Sequence, residues 1–172
     1  MNIRTETNQD MERVQHLLLQ AFPGQAEARL VEELRKDPQF VPELSIVAEE
    51  NGIIKGHILL SQGQLLDGHQ THAVAALAPL AVLPKYQRQG IGGLLVEEGK
   101  RRCASLGYPL VFLFGHPTYY PRFGFEQARR YGLDIKQFTV SDEVFMVAEL
   151  KSGALEKLQG EFRYPPAFEN LE

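Results

Sequence analysis

The run Gln87-Arg88-Gln89-Gly90-Ile91-Gly92-Gly93 lies between an apolar stretch, Leu80 to Leu83, and a stretch of helical apolar spacing that begins at Ile91. A strand–turn–helix passage leaves the first N–H groups of the helix without partners, and such groups bind anions. Glycines at 90, 92 and 93 let the backbone come close to a ligand and reach dihedrals closed to other residues. Each charge–dipole contact there is worth roughly 0.3–1 kcal/mol, and up to ~2 when partly buried. Arg88 and Lys85 could add positive charge. The chemistry indicated is the holding of a phosphate, although spacing alone also fits glycines that only shape a tight junction.

Two common phosphate motifs do not fit. A dinucleotide fingerprint needs a third glycine three residues after the second and a turn directly after its strand. Here Leu95 takes that place and Leu83 to Gln89 intervene. A P-loop needs Gly-Lys-Ser/Thr, which is absent. The pattern that remains, Gln/Arg-x-x-Gly-x-Gly/Ala, is filled by Gln87, Gly90 and Gly92. With the preceding Leu80-Ala81-Val82-Leu83-Pro84 it resembles the acyl-CoA signature of the GNAT superfamily of N-acetyltransferases. The resemblance implies that Leu80, Ala81 and Val82, on a splayed strand, offer backbone groups to the pantetheine arm. It also implies that Gln87, Arg88, Gln89, Gly90, Ile91, Gly92 and Gly93 form the pyrophosphate cradle. The cofactor would be acetyl-CoA, used as a cosubstrate.

Downstream, Tyr120, Gly124 and Phe125 match the Tyr-x-x-x-Gly-Phe that GNAT enzymes often carry. An amine attacking a thioester expels a thiolate, whose acid has a pKa near that of a free thiol, ~8.5. A phenol of pKa ~10 stays protonated at neutral pH and can donate to that sulfur. Tyr120 is therefore the expected general acid and Tyr119 a packing residue, against the common fate of both as core aromatics. Many relatives place an asparagine ahead of this tyrosine; Phe112 to Pro117 contains none, so His116 or backbone would take that contact. Four further segments look like the YhbS-like branch of the family: Ala26-Glu27-Ala28-Arg29-Leu30-Val31, Ala78 to Pro84, Tyr119 to Phe125, and Arg163-Tyr164-Pro165-Pro166-Ala167-Phe168. They span nearly the whole chain, read as one acyl-CoA N-acetyltransferase domain, residues 1–172.

The elements that must hold these residues follow from periodicity. Met11, Val14, Leu17 and Leu18 predict a helix over Asn8 to Gln20, capped by Asn8 or Asp10, and Ala28, Leu30, Val31 and Leu34 a second over Gln25 to Arg35. Leu44 to Glu49 and Ile53 to Leu60 read as strands about an Asn51-Gly52 turn, with Asp67-Gly68 marking the next turn. Ala73 to Val82 is almost wholly apolar, so both faces of this strand should be buried, with a bulge or splay at Pro79. A helix from about Gly90 to Leu106 should turn Ile91, Leu94, Leu95, Cys103 and Leu106 inward, and Gly99 suggests a close helix–sheet approach. Leu110 to Phe114, Phe125 to Gln127 and Val144 to Leu150 complete the strands, Pro117 to Arg122 forms a helical turn, and the tail from Phe162 is irregular but packed. The fold class expected is α/β (α+β). It is a GNAT-like mixed, mostly antiparallel twisted sheet with helices on both faces and a splayed central strand.

A chain of 172 residues with net charge −4 argues against nucleic acid, which needs concentrated Lys and Arg. The N-terminus carries no apolar signal and no stretch reaches the roughly 18 apolar residues of a membrane span. With one cysteine, Cys103, expected to be buried and inert, the cytoplasm is the natural compartment. His69 and His72 flank a turn without a ligand set, so no metal is expected. Acetyl transfer to a primary amine, by a monomer or homodimer, is the function indicated; the competing class is an acyl-CoA-binding sensor without turnover. The strand Ala73 to Val82 has no ionisable residue, which leaves Glu27, Glu32, Glu33 and His116 as candidate bases. The first two helices and Phe40 to Glu43 are expected to wall the acceptor pocket.

Overall fold

A computed structural model describes residues 1–170. Its strands are β1 (Asn2–Thr5), β2 (Ser45–Glu50), β3 (Ile53–Asp67), β4 (Gln70–Val82), β5 (Leu110–Phe114), β6 (Glu126–Gln127), β7 (Leu133–Ile135), β8 (Phe145–Glu149) and β9 (Gly160–Arg163). The helices are α1 (Met11–Ala21), α2 (Ala26–Lys36), α3 (Ile91–Ser105) and the short α4 (Ala154–Lys157). The sheet runs β1-β2-β3-β4-β5-β8-β6, antiparallel except between β4 and β5, and β9 pairs antiparallel with β3 and parallel with β7.

Strict alternation along the central strands sorts the side chains into two cores. Val47, Leu59, Ala76 and Phe112 face α1 and α2, where Val14, Leu17, Leu18, Leu30, Val31 and Leu34 meet them. Ile46, Ile58, Ala75 and Val111 face the other way, onto Ile91, Leu95, Val96 and Cys103 of α3. A Cβ on Gly99 would sit 2.7 Å from Leu60 Cδ1, so the glycine permits α3 to lie close on the sheet. Burial pushes the Cys103 thiol up to about 12, the value of an inert core group. Two of the expected inward positions of α3 point elsewhere: Leu94 and Leu106 are 50% and 46% exposed. Val96 and Gly99 occupy that face instead.

Other expectations are corrected. The N-terminal segment Asn2–Thr5, to which the sequence assigned no element, is an edge strand, β1. Asp10, one of the two expected caps, stands at the N-cap position of α1 without a side-chain cap bond. Thr7, not Asn8, precedes the 3-10 turn before it, and the Asp10 carboxylate accepts from the Thr7 N–H (2.8 Å) and hydroxyl (3.0 Å). That carboxylate also takes Arg4 at 2.7 Å and Arg13 at 2.8 Å, fastening β1 to α1. Gly160–Arg163 forms a strand, where an irregular tail was expected; beyond it Tyr164 and Phe168 are buried, as the aromatic content required. On β3 the fully buried His57 bonds Ser45 Oγ through Nε2 at 2.9 Å. Burial first, and Arg35 second, push its pKa down to about 3.

The feature that positions the site lies at Pro79. Ile58 pairs with Leu80 but Leu60 pairs with Leu77, so Ala78 and Pro79, joined by a cis peptide, form the expected bulge. Beside it, β4 and β5 pair only at Ala75–Val111 and Ala76–Phe112. Past Ala76 the two parallel strands diverge, and a gap opens in the middle of the sheet.

Candidate active site

The chain leaves β4 through Leu83 and a 3-10 turn, Pro84–Tyr86, before reaching α3. Gln87 reaches back to donate from Nε2 to the Val82 carbonyl at 3.1 Å, tying the turn to the strand. Arg88 (φ 65°) and Gly90 (φ 86°) both take the left-handed region and swing the backbone into the helix. For Gly90 that conformation carries no side-chain penalty; Arg88 accepts it with one. The amides of Ile91, Gly92 and Gly93 then begin α3 without intrahelical acceptors.

A cleft of about 830 Å³ opens over these amides. Of the ten residues the sequence assigned to cofactor binding, Leu80, Val82, Gln87, Arg88, Gly90, Ile91, Gly92 and Gly93 line it. Ala81 and Gln89 do not. Strand alternation turns the Ala81 side chain into the opposite core, leaving only its backbone for a ligand, and Gln89 is exposed on the outside of the turn. Lys85 also stays off the cleft, lying near the Tyr86 ring. The second cation is instead Arg122, whose guanidinium stands 5.0 Å from the Tyr119 ring centre. Arg122 sits inside the Tyr-x-x-x-Gly-Phe segment, so its position there was the available signal.

The 3-10 turn Tyr120–Phe123 folds over the N-terminus of α3. Its fit explains two glycines: a Cβ on Gly92 would fall 2.5 Å from Tyr119 Oη, and one on Gly93 3.1 Å from the Phe123 ring. Tyr119 therefore packs, as expected, but it packs as a wall of the cleft. Tyr120 turns the other way, with its ring at 5.0 Å and 88° to that of Tyr119. Burial first, and then Tyr119, raise its phenol to about 12. Among the described residues its hydroxyl has no hydrogen-bond partner.

Tyr120 lines a second cavity, of about 410 Å³, that meets the cleft at Leu80. Its walls come from the end of α1 (Phe22), α2 (Glu27 and Leu30), the bulge, β5 (Phe114), and Phe138, Tyr164, Phe168 and Glu169. Phe40 to Glu43, expected here, are not among them; Phe40 packs against the α1–α2 core. Of the four candidate bases only Glu27 faces this cavity. Glu32 and Glu33 are exposed on α2, and His116 is exposed with Nδ1 bonded to Thr118 Oγ1 at 2.9 Å. Among the described residues no group of three or more His, Cys, Asp or Glu could hold a metal ion. No helix among them is long and apolar enough to cross a membrane.

Residues 2–128 match the family described as an acetyltransferase (GNAT) domain. The chain is 33% identical over 168 residues to the uncharacterized N-acetyltransferase YhbS of Escherichia coli K12, covering 98% of each. It is 38% identical over 117 residues, 68% of its length, to the uncharacterized N-acetyltransferase YjhQ of the same organism. That alignment spans 65% of YjhQ, just under two thirds. Among solved structures, YhbS from Escherichia coli in complex with CoA is similar with a TM-score of 0.91 at 32% identity, over 99% of this chain and 93% of that one. A GNAT family acetyltransferase from Brucella melitensis in complex with acetyl-CoA gives 0.77 at 30% identity, over 97% of each.

Proposed function

Because the chain belongs to the GNAT acetyltransferase family, we propose that it moves the acetyl group of acetyl-CoA to a primary amine by direct attack within a ternary complex. The observation that carries this reading is the junction at Leu80, where a cleft built on helix amides meets a cavity lined by a protonated phenol. In the cleft, the α3 amides with Arg88 and Arg122 would hold the pyrophosphate, and the unpaired flank of β4 from Leu80 to Val82 would hold the pantetheine amides. The thioester would then stand beside Tyr120.

The acceptor first loses a proton from its ammonium. Its nitrogen lone pair forms the C–N bond, the C–S bond breaks, and the electron pair leaves on sulfur. Tyr120 donates to that sulfur, and the proton shed by nitrogen restores the balance, so the products are the acetamide, CoA thiol and one proton. Residues 1–172 act in this reading as one domain, cytoplasmic and either monomeric or homodimeric.

Incubation with acetyl-CoA and a panel of amines, read by thiol release and by product mass, tests it. A mass gain of one acetyl group on an amine is expected. CoA binding without thiol release above background across the panel would favour a sensor instead.

A further inference from the structure

The cavity at Tyr120 has an unusual lining for its size. Phe114, Phe138 and Tyr164 meet edge to face, with ring centres 5.1–5.9 Å apart, and Phe168 stacks on Tyr164 at 4.4 Å. This is a fixed aromatic wall. Among the described residues, the charged ones on the lining are Glu27 and Glu169, and none is lysine or arginine. Glu169 already accepts from Gln137 Nε2 at 3.1 Å. Glu27 is half-buried and, among the described residues, has neither an ion pair nor a hydrogen bond. A carboxylate without a partner is open to a charge-assisted bond from an ammonium that enters the cavity. The faces of those rings also attract cations.

Resting on the acetyl-transfer reading of the same site, we propose that the acceptor is a primary amine carrying one positive charge on a compact apolar or aromatic body, anchored by Glu27. A volume of about 410 Å³ is near the lower end of small-molecule sites, roughly 300–1,000 Å³. It suits a body of one ring or a short branched chain beside the acetyl group. The same lining rejects two acceptor classes. An amine with a neighbouring carboxylate meets two like charges and no cation. A polyamine would bring further ammonium groups, and the remaining carboxylate of the lining, Glu169, is already bonded to Gln137, so their lost hydration goes uncompensated. Glu27 is a specificity-determining residue in this account, and Tyr120 remains the hydrogen-bond donor to the departing sulfur.

The test measures binding apart from turnover. Protein saturated with CoA is titrated calorimetrically with 2-phenylethylamine, its neutral isostere 2-phenylethanol, phenylalanine and spermidine. 2-Phenylethylamine is expected to bind at least about tenfold more tightly than the other three, the effect of one charge-assisted contact. Glu27→Gln should abolish its advantage over the alcohol and Glu27→Asp should retain it, while Glu32→Gln on the exposed side of α2 leaves it unchanged. Equal binding of amine and alcohol, an unaffected Glu27→Gln, or tighter binding of phenylalanine or spermidine overturns the proposal. Acetylation is followed separately by product mass. Amine binding without product refutes acetyl transfer alone; product from polyamines or amino acids without 2-phenylethylamine binding refutes the acceptor class alone.

Discussion

Replacing Tyr120 with phenylalanine removes one oxygen from the wall of the cavity proposed for the acceptor and should leave the fold intact, since that oxygen has no protein partner among the described residues. The size of the kinetic effect follows from the phenol's environment. Burial lifts it to about 12, whereas a free thiol stands near ~8.5. That gap of roughly 3.5 units puts roughly 5 kcal/mol against complete transfer to a free thiolate. In the proposed reaction Tyr120 would therefore stabilise the sulfur mainly by a hydrogen bond as charge develops. A hydrogen bond to a charged group is worth about 1.5–3 kcal/mol, so kcat should fall about 10- to 150-fold. That lies mostly below the roughly 10²–10⁴ available to a full general acid. Affinity for CoA should change less than about twofold, because the contact strengthens only as the C–S bond breaks. Thiol release with a thiol-reactive chromophore, checked in a single turnover, gives the first quantity, and calorimetry gives the second. The phenol also stays protonated through alkaline pH, so it contributes no loss of kcat between about pH 8 and about pH 10. An unchanged kcat with chemistry rate-limiting, or a Tyr120-dependent alkaline limb in that range, would refute the reasoning.

Gly92→Ala should destabilise the fold by about 1–3 kcal/mol in urea, because its Cβ meets Tyr119 Oη. The double variant with Tyr119→Phe should recover most of this; a neutral single variant would show that packing does not require the glycine. His57 is held neutral in the folded state, with its pKa down at about 3, while the unfolded chain takes a proton near the ordinary value of 6.5. The unfolded state thus binds more protons between those values, and stability falls as pH drops below about 6.5. The loss from about pH 7 to about pH 5 should be roughly 2 kcal/mol. In His57→Gln this part of the slope should vanish; an equal slope in the variant would rule His57 out as its source.

Local patterns foretold the glycine turn and the bulge beside it. Gln87, Gly90 and Gly92 declared the turn because their effect is confined to neighbours along the chain. Pro79 declared the bulge because a missing donor must interrupt the ladder. The cavity at Tyr120 was legible only in part: the first two helices were expected to wall a pocket, and Phe22 and Glu27 do, but Phe138 and Phe168 come from distant segments that no spacing rule links to them. β1 was missed because Asn2, Arg4 and Thr5 give an edge strand little apolar alternation. β9 was missed because Glu161 and Arg163 flank a single inward residue, Phe162, and its pairing with β3 is long-range. Leu94 illustrates a different failure. Its apolar character suggested the core, but it lines the ligand cleft instead, and hydrophobicity does not distinguish these destinations.

The divergence of β4 from β5 also bears on how the protein behaves in a test tube. Opening a sheet in its middle creates two raw edges, and unpaired strand edges are where polypeptide chains adhere to one another. Here that adhesive seam coincides with the place where a pantetheine arm would lie. An occupied seam is a covered one, so the ligand would act on colloidal behaviour as well as on thermal stability. Light scattering on warming should show a longer lag with CoA than without it. Equal lags would mean that the side chains around the gap already shield those edges.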